Sequence, residues 1–78
     1  LRHLFMTNCG LKKVPVLPLP KLSVLDLSYN KIDDVTQVNV QYFESLKMLL
    51  LVNNSLITVP DVRLGLLREL DLSGNPIE

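Results

Sequence analysis

The amino-acid sequence predicts an α/β solenoid, a stack of short parallel strands joined by return segments, and three observations carry that prediction. One pattern recurs four times: Leu1-x-x-Leu4-x-Met6-x-x-Cys9-x-Leu11, Leu22-x-x-Leu25-x-Leu27-x-x-Asn30-x-Ile32, Leu46-x-x-Leu49-x-Leu51-x-x-Asn54-x-Leu56 and Leu67-x-x-Leu70-x-Leu72-x-x-Asn75-x-Ile77. The copies begin at residues 1, 22, 46 and 67, giving periods of 21, 24 and 21 residues. Within each copy apolar residues alternate with others at period two, as in a strand with one buried face. No copy can bury its apolar side alone, so neighbouring copies must supply the core for one another.

The alternation assigns Leu4 and Met6, Leu25 and Leu27, Leu49 and Leu51, and Leu70 and Leu72 to the inner face. Parallel pairing sets the strands about 4.8 Å apart. The expected buried set is Leu4, Leu11, Leu25, Leu27, Ile32, Phe43, Leu49, Leu51, Leu56, Leu70 and Leu72. Asn30, Asn54 and Asn75 follow the strands, where the chain turns away from the sheet and backbone groups lose their ladder partners. A buried unpaired N–H or C=O costs ~1–3 kcal/mol, so these side chains are expected to form a hydrogen-bonding ladder. Cys9 occupies the same place in the first copy, as its weak end and as a small buried residue filling the turn.

The returns differ from one another. The segment from Lys12 to Lys21 carries Pro15, Pro18 and Pro20, and each proline holds itself and its predecessor extended, which fits a polyproline-type return. The second return is three residues longer, and Gln41-Tyr42-Phe43-Glu44-Ser45 has room for one helical turn. The third places Val59-Pro60 in register with Val14-Pro15. Stacking on this alignment sets Lys12 beside Asp33 and Lys13 beside Asp34, pairs that as exposed charges contribute ~0.2–1 kcal/mol each at most.

Only Met6 and Cys9 depart from the Leu/Ile and Asn of the repeated pattern. The pattern resembles the leucine-rich repeat family across residues 1–78, as four repeats at 1–21, 22–45, 46–66 and a partial 67–78. The resemblance implies a right-handed superhelix, with strands on a concave face and mostly irregular returns on the convex side. Phe43, three places before Leu46, matches the apolar residue that the 24-residue version of the family buries on its convex side. That repeat and the Ser73-Gly74-Asn75-Pro76-Ile77 stretch resemble animal extracellular members, receptor ectodomains or secreted immune factors. The implied function is a protein-binding module, with an intracellular scaffold or regulatory subunit, hence a cytoplasmic location, as the alternative.

Composition narrows the partners. Eight basic and eight acidic side chains cancel, which removes the long-range reason to expect nucleic acid or an anionic membrane. No apolar run approaches the roughly 20 residues that span a bilayer, so no membrane contact is expected of this segment. The opening Leu1-Arg2-His3-Leu4 resembles neither an initiator methionine nor a signal peptide. The chain is therefore read as a piece of a longer array, with remaining repeats of its parent as partners at both ends. A single cysteine forms no internal disulfide and has no basic neighbour or further ligands that would make it reactive or metal-binding.

The outward strand residues fall into columns: His3, Val24, Met48, Glu69; then Phe5, Asp26, Leu50, Asp71; then Thr7, Ser28, Val52, Ser73. Tyr29 lies one place further along the edge, flanked by Asn8 and Asn53. Apolar residues on that face have no core to fill, and an apolar patch with polar neighbours marks a protein interface or a surface covered by another part of the parent. The candidate partner-binding residues are Phe5, Val24, Asp26, Tyr29, Met48, Leu50, Val52, Glu69 and Asp71. Arg2, Lys47 and Arg68 share the second position at the rim, where mixed charge orients a protein partner. Asn53-Asn54-Ser55 is an acceptor sequon, placing a candidate glycosylation site at Asn53. No catalytic, cofactor-binding or metal-ligating set is expected. His3 has no nucleophile partner, no Gly-rich phosphate loop occurs, and Asp26 and Asp71 stand roughly 10 Å apart at strand spacing.

Overall fold

The computed structural model describes residues 2–15, 19–35 and 43–77. Four strands, β1 (His3–Phe5), β2 (Val24–Asp26), β3 (Met48–Leu50) and β4 (Glu69–Asp71), form one sheet in chain order. All pairs are parallel, and the register sets His3, Val24, Met48 and Glu69 opposite one another. Leu4, Leu25, Leu49 and Leu70 form the next row, and Phe5, Asp26, Leu50 and Asp71 the one after. The first two predicted columns are thus columns of the sheet. The ladder runs past the strand ends, where Leu27 N–H donates to Leu50 O and Leu51 N–H to Asp71 O, each at 2.9 Å.

The core lies behind the sheet. Leu22, Leu25, Leu27, Ile32, Phe43, Leu46, Leu49 and Leu51 are fully enclosed, and Val14, Val35 and Leu56 nearly so. Of the expected buried set, Leu4, Leu11, Leu70 and Leu72 are only half-buried. They belong to the first and last repeats of the sheet, which are covered by a neighbour on one side only. The alternation argument also passed over Leu22 and Leu46, the opening leucines of their copies. A three-residue turn explains them: Leu22 N–H donates to Leu19 O at 3.1 Å and Leu46 N–H to Phe43 O at 3.0 Å. This turn recurs at Leu67, which donates to Leu64 O at 3.1 Å, and it brings Leu22 and Leu46 fully into the interior and half-buries Leu67 before the strand begins.

The returns hold the same register. Lys31 N–H donates to Leu11 O at 2.7 Å, Asp33 N–H to Lys12 O at 3.2 Å, and Ser55 N–H to Ile32 O at 2.9 Å. Lys13 and Asp34 form an isolated parallel bridge, so the backbone stacks in the alignment that set Lys12 beside Asp33 and Lys13 beside Asp34. No helix occurs among the described residues. Gln41 and Tyr42 of the expected helical turn lie outside them, while Glu44 and Ser45 form a turn directly after the buried Phe43.

The asparagine ladder joins one repeat to the next. Asn30 Oδ1 accepts from Cys9 N–H at 2.8 Å and Leu11 N–H at 3.1 Å, and its amide donates to Met6 O at 2.9 Å and Leu27 O at 2.8 Å. Asn54 Oδ1 accepts from Ile32 N–H at 3.0 Å, and its amide reaches Leu27 O at 3.0 Å. Asn75 Oδ1 accepts from Asn54 and Leu56 N–H, both at 3.1 Å, and donates to Leu51 O and Leu72 O at 2.8 and 2.9 Å. Every asparagine therefore satisfies the turn of the repeat before it. Cys9 corrects the expectation of a buried residue: it is exposed, and its thiol reaches only Thr7 O, at 3.4 Å. It stands in the first repeat of the sheet and faces no preceding turn.

Two substitutions separate packing from hydrogen bonding. Leu49→Ala, at the centre of the stack, is expected to lower the unfolding free energy by ~2–5 kcal/mol. Asn54→Ala orphans Ile32 N–H and weakens the satisfaction of Leu27 O, at ~1–3 kcal/mol for each buried group left unpaired. Chemical denaturation of both variants checks these values. The equivalent change at Cys9 is expected to be nearly silent.

Candidate functional site

The outer face of the sheet and its two edges hold the candidate site residues. Phe5, at the end of β1, is 63% exposed, and Tyr29 is 53% exposed. Glu69 is also exposed, while Val24, Asp26, Met48, Leu50, Val52 and Asp71 are half-buried. The register brings Phe5, Asp26, Leu50 and Asp71 into one row and Val24, Met48 and Glu69 into the next. The apolar part of this face is therefore a tight strip between neighbouring strands, with Phe5 and Tyr29 as its projecting aromatic rings.

Asp26 and Asp71 have local structural work. Asp26 Oδ1 accepts from Ser28 N–H and Asp71 Oδ1 from Ser73 N–H, each at 3.0 Å, closing the same small turn in two repeats. The Ser73 hydroxyl and, second, its backbone N–H hold the Asp71 carboxyl below the ordinary carboxylate range. Ser28 departs from the outward column assigned to it. It is buried, and its Oγ accepts from Val52 N–H at 3.1 Å, supplying a partner where the ladder opens into the turn.

The next position carries a regularity that the sequence reading missed. Asn8, Tyr29, Asn53 and Gly74 occupy equivalent places and all have positive φ, at 55°, 59°, 55° and 75°. The backbone enters the left-handed region there to leave the strand. Glycine does so freely and asparagine readily, whereas a bulky ring is strained. Two asparagines and a glycine in four equivalent places were the available signal. Tyr29 keeps its backbone bond, donating to Val52 O at 2.8 Å. Asn53 is exposed, and its side chain lies against Gly74 so closely that a Cβ on Gly74 would overlap the Asn53 amide oxygen. Ser55, the hydroxyl residue of the sequon, is exposed as well.

Other exposed apolar side chains lie on the third return: Ile57 at 67%, Val59 at 68% and Leu66 at 55%. Val59 is aligned with Val14 and Val35, each 2% exposed, and is the exposed member of the three.

With the register, the turns and the ladder repeating at the sequence periods, comparison with known proteins gives a consistent result. The family model described as "Leucine rich repeat" matches residues 1–56 and 20–77. The chain belongs to the leucine-rich repeat family. Its fold is the family's solenoid, and such arrays present extended surfaces for binding proteins rather than for catalysis. Chaoptin from Tribolium castaneum is 40% identical over 79 residues, a stretch covering 99% of this chain and 10% of that protein. The chain thus spans about a tenth of that relative's length. No solved structure matches.

Two measurements follow from the turn geometry. Tyr29→Asn is expected to raise stability by on the order of 1 kcal/mol, by relieving the left-handed strain; an unchanged or lower melting temperature would contradict it. The carboxyl of Asp71 is expected to titrate below the ordinary value of about 3.9, and Ser73→Ala to move it upward, as followed by NMR. Because the folded pKa is the lower one, its stabilising contribution is present above the unfolded value and is lost as pH falls through the folded value.

Proposed function

We propose that this segment is part of an extracellular or cell-surface recognition protein and binds a protein partner on the strand face. The partner meets Phe5, Val24, Met48, Leu50 and Val52, with Asp26, Tyr29, Glu69 and Asp71 at the margin. The observation that carries the reading is Tyr29, an exposed aromatic held at a φ of 59°, where Asn or Gly serves in the other three repeats. Strain retained at an exposed ring, on a surface that also exposes Phe5, is characteristic of recognition sites rather than of packing. The strands beneath are hydrogen-bonded on both sides in the inner repeats, so a partner docks on a preorganised surface and loses little entropy in doing so.

Asn53 is proposed as a glycosylation site, one repeat beyond Tyr29 along the same edge. Its exposure, with that of Ser55, leaves room for a glycan, which would bound the binding surface on that side. Further repeats of the parent chain are proposed to stack on both open ends. The half-burial of Leu4, Met6, Leu70 and Leu72 and the bare Val59 support this. A second reading, an intracellular scaffold, draws on one observation: Cys9 is a free, exposed thiol, more at home in a reducing compartment.

Photo-crosslinking residues placed one at a time in the parent protein test the binding face. Positions Phe5 and Met48 are expected to capture partner, and Arg63, exposed on the return and paired with Asp61 at 2.8 Å, is not. The reverse ranking would remove the strand-face assignment. Met48→Glu and Leu50→Glu are expected to abolish binding at some cost in stability, since both residues are half-buried. Tyr29→Asn is expected to weaken binding while stabilising the fold, a combination that a purely structural tyrosine does not give. A glycosidase-sensitive mass shift of the parent, lost in Asn53→Gln, separates the extracellular reading from the intracellular one.

A further inference from the structure

The net charge of zero conceals a one-sided arrangement at the edge where the chain enters the strands. A shallow cleft of about 280 Å³ there is lined by Arg2, Lys21, Ser23, Ser45, Lys47 and Leu66. The lining follows from the repeat. Arg2, Ser23 and Lys47 share the position after the opening leucine, and Lys21, Ser45 and Leu66 share the position before it. Each column advances by one strand spacing, so Arg2 and Lys47 flank Ser23 with backbones roughly 10 Å apart. Three cations face one cleft with no carboxylate in its lining. Among the described residues none of the three is ion-paired; Arg63 pairs with Asp61 at 2.8 Å, on a return. Ser23 donates its hydroxyl to Arg2 O at 3.2 Å and fixes that backbone, while the Ser45 hydroxyl has no partner among the described residues.

We propose that this edge cleft binds sulfate ester groups of a linear sulfated saccharide. Cations lining one open groove without a carboxylate set up a local positive field that the net charge does not reveal. Charges at the same position of the first, third and fourth repeats, Arg2, Lys47 and Arg68, with Ser23 between the first two, match a polymer carrying sulfates at intervals along its length. The guanidinium of Arg2 can hold two oxyanion oxygens at once, and the lysines act as point charges. The hydroxyl of Ser45 and the exposed Leu66 offer a sugar its two ordinary contacts, one polar and one apolar. Single-stranded nucleic acid calls for aromatic stacking platforms, and the lining holds none. A bilayer calls for an apolar surface beside the basic one, and Leu66 stands alone. The site lies on the strand edge, at the rim of the apolar strip, and does not rest on a protein partner there.

The test is a titration of the chain with a sulfated hexasaccharide and with the same hexasaccharide desulfated, followed by calorimetry and amide shifts. Saturable binding of the sulfated form alone is expected, with shifts centred on Ser23, Ser45 and Lys47, and the affinity falling as salt rises. Arg2→Ala, Lys21→Ala and Lys47→Ala are each expected to weaken binding roughly two- to fivefold, the size of one exposed charge contact. Because all three side chains are exposed, the variants should remain folded, which the amide spectrum checks directly. Lys31→Ala removes the same charge away from the cleft and is expected to change nothing. Equal binding of the desulfated sugar, an equal loss in Lys31→Ala, or binding only to phosphoinositide vesicles would each overturn the proposal.

Discussion

The hydrogen bonds of Asn30, Asn54 and Asn75 are the interaction on which the rest of the structure depends. A strand of three residues makes few ladder bonds, and the chain must then turn sharply while its backbone is still behind the sheet edge. Each asparagine offers a carbonyl and an amide at that point and closes the donors and acceptors of two repeats at once. The leucine core is generic in its chemistry and tolerates the change from Leu to Met at residue 6. Register is not generic: it is specified where Asn54 meets Ile32 N–H and Leu27 O, and a slip of one residue would break both bonds.

Once register is held there, the outer face is ordered without further help. Its columns come from strand positions that repeat, so side chains with unrelated chemistry, such as Asp26 and Leu50, stand next to each other because their backbones must. The same constraint places Arg2, Ser23 and Lys47 in a line along one edge, although they are far apart in the chain. Recognition chemistry in this family can thus vary residue by residue while the scaffold stays fixed.

Much of this was legible in the sequence, and the reasons are specific. Leu25, Leu27, Leu49 and Leu51 announce themselves by period two, and three asparagines at equivalent places announce a backbone task. The burial of Leu22 and Leu46 was not legible from alternation, because it comes from a turn that precedes the strand. Cys9 misled because a position was assigned by its equivalents, whereas its burial depends on a neighbour that the first repeat of the sheet does not have. Ser28 misled for a related reason: outward in the pattern, it is drawn in by Val52 N–H. In the candidate site, the columns were readable and the exposures were not. Asp26 and Asp71 read as recognition residues, and only their bonds to Ser28 and Ser73 reveal that they also close turns.

The ladder also has a direction. Among the described residues the side chains of Asn30, Asn54 and Asn75 bond within their own repeat and back to the one before it, so a repeat brings with it the groups that complete its predecessor. A gene segment encoding one such unit therefore carries both the new surface and the means of attaching it. Copying that segment in frame lengthens the array without any compensating change elsewhere, whereas a cut after any repeat leaves the amides of its final turn waiting for an asparagine. Growth by tandem duplication is easy for this architecture, and loss of whole units is asymmetric between its two ends.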